Sequence, residues 1–352
     1  MSLKILQVPD SPEGRKDYVI KLPKPELHRH LEGCIRPVTV LEIANRHGLS
    51  VPSHDIKELE KNYRIYEQGE SLEKILERFS LAQNSFQSYD DIERITWEAC
   101  EDAYFKENVR LLELRYSPDF MLADRLDWQK GFEIISSTVS SFEKKHPMLC
   151  GIIIIFSRSY GLKSAWKTAD FAIANKNKII GFDLADSESM YPPQLYEKIA
   201  LRLRSDKINL TVHSGEEGDY ANMADTLMLL KPCRIGHGIK AAEDSSGKVI
   251  AAVKEAGVLL ETNPRSNYLT RAVNKIEEHP LLKFLRAGIK CSIGADDPEI
   301  LNTDLNNEYM LAIEKIGLSL ADIEECRINA AYASFLPKDK KQQAFIELGI
   351  KQ

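Results

Sequence analysis

Two histidines one residue apart, in Leu27-His28-Arg29-His30-Leu31-Glu32-Gly33, open the question of what chemistry this chain can do. On a strand, side chains alternate faces, so His28 and His30 would point the same way about 6.6 Å apart at ~3.3 Å per residue. Two imidazoles so placed can share a metal ion. Alone, the pair reads equally well as one solvated and one half-buried histidine. Further along lie Thr211-Val212-His213-Ser214-Gly215-Glu216-Glu217, Arg234-Ile235-Gly236-His237-Gly238 and Gly294-Ala295-Asp296-Asp297-Pro298. Each also has an ordinary reading: a solvated acidic pair opening a helix, a turn residue between glycines, a helix N-cap followed by proline. Together they supply several histidines and carboxylates, of which three His and one Asp would form a set suited to Zn²⁺ with a position left for water. A fourth histidine and a glutamate remain for proton transfer.

Those residues need strand ends to hold them. Candidate strands are Pro25–His30, Val109–Tyr116, Gly151–Arg158, Lys178–Asp183, Ile208–His213, Arg234–His237, Val258–Asn263 and Ile289–Asp296. Several are unbroken apolar runs, such as Ile152-Ile153-Ile154-Ile155-Phe156, the pattern of parallel strands covered on both faces. Eight strands separated by helical segments predict a (β/α)₈ TIM barrel, with the chemistry gathered at the C-terminal strand ends. Pro37 and Gly48 bracket one helix, and Asp127 caps another that runs towards Lys145. Between the first two strands, residues 35–107 are too long for a bare loop and carry helical periodicity (Leu72, Ile75, Leu76, Phe79; Ile92, Ile95, Ala99, Ala103), which predicts a helical insertion over the barrel mouth. With no repeat or linker, residues 1–352 are expected to form a single domain.

Composition narrows the partners. A formal net charge of −6 and 28% charged residues leave no basic field for nucleic acid or anionic membrane. Residues Met1–Lys24 lack the apolar core of a signal peptide, and no stretch reaches a membrane span. Cysteines 34, 100, 150, 233, 291 and 326 are scattered without a Cys-x-x-Cys pair, which argues against disulfides and thiolate zinc and for a cytoplasmic protein with small, reduced core thiols. His47, His54, His146 and His279 read as surface residues.

The chain resembles the adenosine deaminase family of the metal-dependent amidohydrolases. The motifs that carry the resemblance are those above together with Glu113-Leu114-Arg115-Tyr116-Ser117-Pro118, Gly181-Phe182-Asp183-Leu184-Ala185 and Ser266-Asn267-Tyr268-Leu269-Thr270. It implies one Zn²⁺ per chain on His28, His30, His213 and Asp296, Glu216 as proton donor to purine N1, and His237 orienting the attacking hydroxide, with Asp296 also in the reaction. It further implies substrate contacts from His30, from Glu32 at the ribose 5′ end, from Asp297 at N7 and from the Gly181 N–H at N3. The expected substrate is a small purine nucleoside, adenosine or deoxyadenosine, converted to inosine or deoxyinosine plus ammonia; adenine or a 5′-modified adenosine is the alternative. Glu32 stands where Asp is usual, Ser214 for Ala, Ala185-Asp186 for Ala-Gly and Asn263-Pro264-Arg265 for Cys-Pro. A cytidine-type site would need a second cysteine where Gly236 stands, and a binuclear hydrolase would want a bridging lysine that the fourth strand lacks. A homo-oligomer is left open.

Overall fold

In the computed structural model, which describes residues 11–69, 72–123 and 125–351, eight strands pair in chain order into one parallel sheet. They are β1 (Lys24–His30), β2 (Val109–Tyr116), β3 (Leu149–Ser157), β4 (Gly181–Ala185), β5 (Leu210–Ser214), β6 (Arg234–His237), β7 (Leu259–Thr262) and β8 (Cys291–Ile293). The ends meet at the top: Asp296 N–H donates to His28 O at 2.9 Å, and His30 N–H donates to Asp296 O at 3.0 Å. With helices between the strands, this is the (β/α)₈ barrel expected from the sequence. The aliphatic run of β3 is buried throughout, because helices cover the outer face and the barrel fills the inner one.

Two strands differ most in extent from the expectation: β8 covers only Cys291–Ile293 of the expected Ile289–Asp296, and β4 begins late. Lys178 and Ile179 donate their N–H groups to Asn175 O at 2.8 and 3.2 Å, finishing the preceding helix (Gly161–Ala174), so β4 starts at Gly181. Apolar character could not separate that turn from the strand.

Helix α1 (Pro12–Lys21) precedes β1. Four more lie between β1 and β2: α2 (Pro37–His47), α3 (Ile56–Tyr63), α4 (Leu72–Asn84) and α5 (Tyr89–Glu101). Pro37 occupies the first turn of α2, and Gly48, left-handed at φ 66°, ends it. Residues before Ser11 and the side chains of Leu72 and Leu76 lie outside the described residues. The segment after α3 crosses the C-terminal end of the barrel: Ile65 N–H donates to Ile300 O at 2.7 Å, and the Gln68 amide donates to Tyr268 O and Val273 O. The insertion is thereby fastened to the loops after β7 and β8.

The barrel interior is charged. Arg115 pairs with Asp183 (2.7 Å) and Glu261 (2.8 Å), and Arg234 with Glu113 and Glu261 (both 2.6 Å), all at 0 or 1% side-chain exposure. Buried ions persist where each is paired. This network forms the floor beneath the strand ends. No helix among the described residues is long and apolar enough to cross a membrane. All six cysteines are free, and five are buried; Cys233 is exposed.

Candidate active site

At the C-terminal end of the barrel, β1, β5, β6 and the turn after β8 bring five side chains to one point. The His28 ring lies 5.3 Å from that of His30, 4.7 Å from His213 and 5.1 Å from His237, centroid to centroid. One ligand atom each from His28, His213, His237 and Asp296 falls within 4.8 Å of the others. His30 Nε2 is 3.3 Å from Asp296 Oδ1, and His28 Nε2 is 3.4 Å from the same oxygen. Both nitrogens are buried, yet neither has a hydrogen-bond partner. Orphaned buried nitrogens ringing one carboxylate oxygen are the donor set of a cation site, which would satisfy them all. Burial holds His30 and His237 well below the usual imidazole range. Burial also disfavours charge on His28, but Asp296 and Glu261 outweigh it and raise that group to about 9. The field therefore favours positive charge here.

The floor network orients the rings. Glu261 accepts from His28 Nδ1 at 2.7 Å and Asp183 from His213 Nδ1 at 3.0 Å, which turns both Nε2 lone pairs into the site. Arg115 holds both carboxylates. Gly236 admits the His28 ring, since a Cβ there would lie 2.9 Å from its Cε1, and Gly33 admits Asp297, whose Oδ1 would lie 2.2 Å from a Cβ. His237 and Asp296 have φ of 64° and 62°, left-handed values that are uncommon for non-glycine residues though favoured among them by Asp, Asn and His.

Glu216 faces this cluster, its Oε2 3.3 Å from His237 Nε2. Burial, reinforced by Asp296 and Glu188, pushes its carboxyl up to about 8. No helix begins at Glu216: the next starts at Tyr220, capped by Asp219. What shapes the loop is an exchange of carboxylates with the loop after β4. Glu188, 1% exposed, accepts the N–H groups of Gly215 (2.7 Å), Glu216 (3.0 Å) and Glu217 (3.2 Å). Glu217 in turn accepts from the Ser187 hydroxyl, the N–H groups of Glu188 and Ser189, and the Ser189 hydroxyl.

On the remaining wall, Glu32 Oε1 accepts the Ser117 N–H at 2.6 Å while its Oε2 is buried without a partner. Burial raises Glu32 to about 7. Asp297 lies against Gly33 and is pushed well above the carboxylate range by burial and then by Asp296, Glu32 and Glu216. No helix starts at Asp297 either; a turn follows.

Of the residues singled out from the sequence, His28, His30, Glu32, His213, Glu216, His237, Asp296 and Asp297 converge here, and Gly181 does not. Gly181 is the first residue of β4 and packs against Phe335 and Asn209. It therefore lies four residues, about 13 Å at ~3.3 Å each, from the strand's catalytic end. The later start of β4 is what moves it to the opposite rim. His279 is also misplaced by the sequence reading: it is 4% exposed and bonded to Asn267 at 3.1 Å. Sequence reasoning gave no roles to Asp183, Glu188, Glu261, Asn267 or His279. For Asp183 and Glu261 a signal existed, a lone carboxylate within an apolar strand.

Comparison with known proteins bears on this geometry. The family model for adenosine deaminase matches residues 23–348. An adenosine deaminase of Photorhabdus laumondii is 32% identical over 324 residues, spanning 92% of this chain and 96% of that one. Among solved structures, an adenine deaminase from Arthrobacter aurescens superposes with a TM-score of 0.85 at 25% identity, covering 93% of this chain and 98% of the other. An Arabidopsis N6-mAMP deaminase superposes at 0.81 and 25%, covering 95% and 99%.

Proposed function

Given that this chain belongs to the adenosine deaminase family, we propose that it hydrolyses the exocyclic C6–N bond of adenosine or deoxyadenosine, giving inosine or deoxyinosine and ammonia. The carrying observation is the meeting of orphaned His28 and His30 nitrogens, His213 and Asp296 with an acid, Glu216, on the same strand ends. His28, His30, His213 and Asp296 would hold one divalent cation, zinc by their nitrogen-rich chemistry. When bound, that cation acidifies a water so that hydroxide is available near neutral pH.

The chain's own side chains do the rest. Glu216 gives a proton to ring N1 as negative charge develops there, which makes C6 receptive to attack. His237, 3.3 Å from Glu216 and 3.9 Å from Asp296, positions the attacking oxygen over C6 together with Asp296. Asp297 bonds the ring at N7. Glu32, with one free oxygen, receives the sugar 5′-hydroxyl, and the acidic wall disfavours a 5′-phosphate. In this reading residues 1–352 act as one deaminase domain, with 35–107 covering the barrel mouth. The buried Glu32 at the 5′ end also suits a substrate without a sugar, so free adenine is the second reading.

A panel of adenine, adenosine, deoxyadenosine, 5′-deoxyadenosine and adenosine monophosphate, followed by loss of adenine absorbance and release of ammonia, tests the assignment. Adenosine or deoxyadenosine should give the highest kcat/KM. Turnover of adenine alone would replace the substrate and keep the reaction, whereas no ammonia from any of them would remove both.

A further inference from the structure

Five side chains reach a point where four protein ligands and a water would complete a cation's shell, and a chain of hydrogen bonds running away from the site selects among them. It begins at a donor that cannot be reversed. Leu281 opens the helix Leu281–Arg286, where the first N–H groups have no intrahelical acceptor, and its N–H donates to His279 Nδ1 at 3.2 Å. His279 is buried and held neutral by burial, down at about 3. Its Nδ1 is therefore the acceptor and its Nε2 carries the hydrogen. That Nε2 lies 3.1 Å from Asn267 Oδ1, an oxygen which also accepts the Asn263 N–H at 3.3 Å.

Two fixed donors thus meet one side of the Asn267 amide, and turning the amide over would set its NH₂ against both. The NH₂ faces the other way, 2.8 Å from His237 Nδ1. A ring nitrogen facing a donor must accept, so His237 carries its proton on Nε2. His28 and His213 have the opposite arrangement: their Nδ1 atoms face carboxylates, which only accept, so each Nδ1 keeps its proton and Nε2 is the atom left to ligate a cation.

We infer that Asn267 and His279 are positioning residues that hold His237 as the Nε2–H tautomer, making it a hydrogen-bond donor to the reacting oxygen and withdrawing it from the cation's ligands. The nature of the Nδ1 neighbour, carboxylate or amide, sorts ligand from non-ligand histidines among rings that are otherwise equally close. The tautomer follows from hydrogen bonding alone; its consequence for turnover rests on the deaminase reading.

The test is a long-range ¹H–¹⁵N correlation spectrum of protein labelled at histidine nitrogens, recorded with zinc loaded and after chelation. The His237 signals are identified by their loss in His237→Gln. In the parent, His237 and His279 should each show a protonated Nε2 and an unprotonated Nδ1 in both states. A His237 protonated on Nδ1, or ligating zinc, overturns the inference without any further variant.

Asn267→Asp has the same shape but turns the nearer donor into a charged acceptor, which outweighs the Asn263 amide left 3.4 Å from the same nitrogen, so His237 should shift its proton to Nδ1 and kcat should fall at least ~10-fold with KM little changed. Retention of Nε2–H in that variant also overturns it. His279→Gln can accept from Leu281 and donate to Asn267, so it should stay nearer the parent in kcat than His279→Leu; equal losses would remove His279 from the chain. Should no purine prove to be a substrate, the spectra still decide the tautomer.

Discussion

Replacing Glu188 by glutamine should slow turnover while leaving substrate binding intact. One carboxylate oxygen accepts the Gly215 N–H at 2.7 Å and the other those of Glu216 and Glu217 at 3.0 and 3.2 Å. Glutamine offers one acceptor oxygen instead of two. Its best orientation keeps that oxygen on Glu216 and Glu217 and sets its NH₂ against the Gly215 N–H. A bond to a charged acceptor is worth about 1.5–3 kcal/mol, and the two opposed donors add to the cost of losing one. The loop can relieve this by shifting, but a shift carries Glu216 with it. If the loss falls on placement of the acid, ~1.4 kcal/mol per tenfold gives a kcat about 10- to 100-fold lower. The KM should change by no more than about threefold, since the Glu188 carboxylate meets loop backbone and not substrate. Steady-state rates with adenosine, together with thermal melts to confirm folding, provide the measurement, and Glu188→Asp, which keeps both oxygens, should fall between. A folded Glu188→Gln with kcat within about twofold of the parent refutes the reasoning, because the loop would then hold Glu216 unaided.

Glu216→Gln should keep metal and most affinity while kcat drops at least ~10²-fold, whereas Glu217→Gln, whose carboxylate is tied to residues 187–189, should cost less; near-full turnover by Glu216→Gln assigns the acid elsewhere. Chelation should abolish activity, and zinc analysis should find His28→Ala, His30→Ala, His213→Ala and Asp296→Ala depleted but His237→Ala loaded; a zinc-free His237→Ala beside a fully loaded member of the four reverses the ligand set. For the 5′ end, 5′-deoxyadenosine should be ~10- to 100-fold poorer than adenosine in kcat/KM, with the gap narrowed in Glu32→Gln; equal turnover by the parent means that Glu32 does not bond the hydroxyl. Away from the site, burial raises Glu308 to about 8. A carboxyl raised on folding contributes stability that is full below its unfolded value and is lost as pH rises through the folded one. The Tm of Glu308→Gln should therefore fall less than that of the parent between pH 5 and 9, and parallel Tm curves would show that Glu308 is not the group responsible.

The sequence by itself determined the strand order and most of the site, because both are written in local patterns. Apolar runs of strand length mark elements covered on two faces, and the His, Glu and Asp clusters sit at the ends of those runs, where the fold exposes them. Pro37, Gly48 and Asp127 set helix ends through backbone angles and caps that depend only on neighbours in the chain. What the tertiary structure decided is everything that depends on partners far apart in sequence. Gly181 was assigned to the site by motif, but the helix-ending bonds to Asn175 fix where β4 begins, and strand polarity then carries Gly181 to the opposite rim. His279, flanked by charge and proline, reads as a surface residue until the barrel packs it against Asn267. Glu217 reads as a solvated acid, and Glu188 as nothing at all, until two loops from different strands exchange their carboxylates. Nor could residue type say which histidines present lone pairs: His28, His213 and His237 are chemically identical, and only Glu261, Asp183 and Asn267, brought beside them by folding, decide where each proton resides.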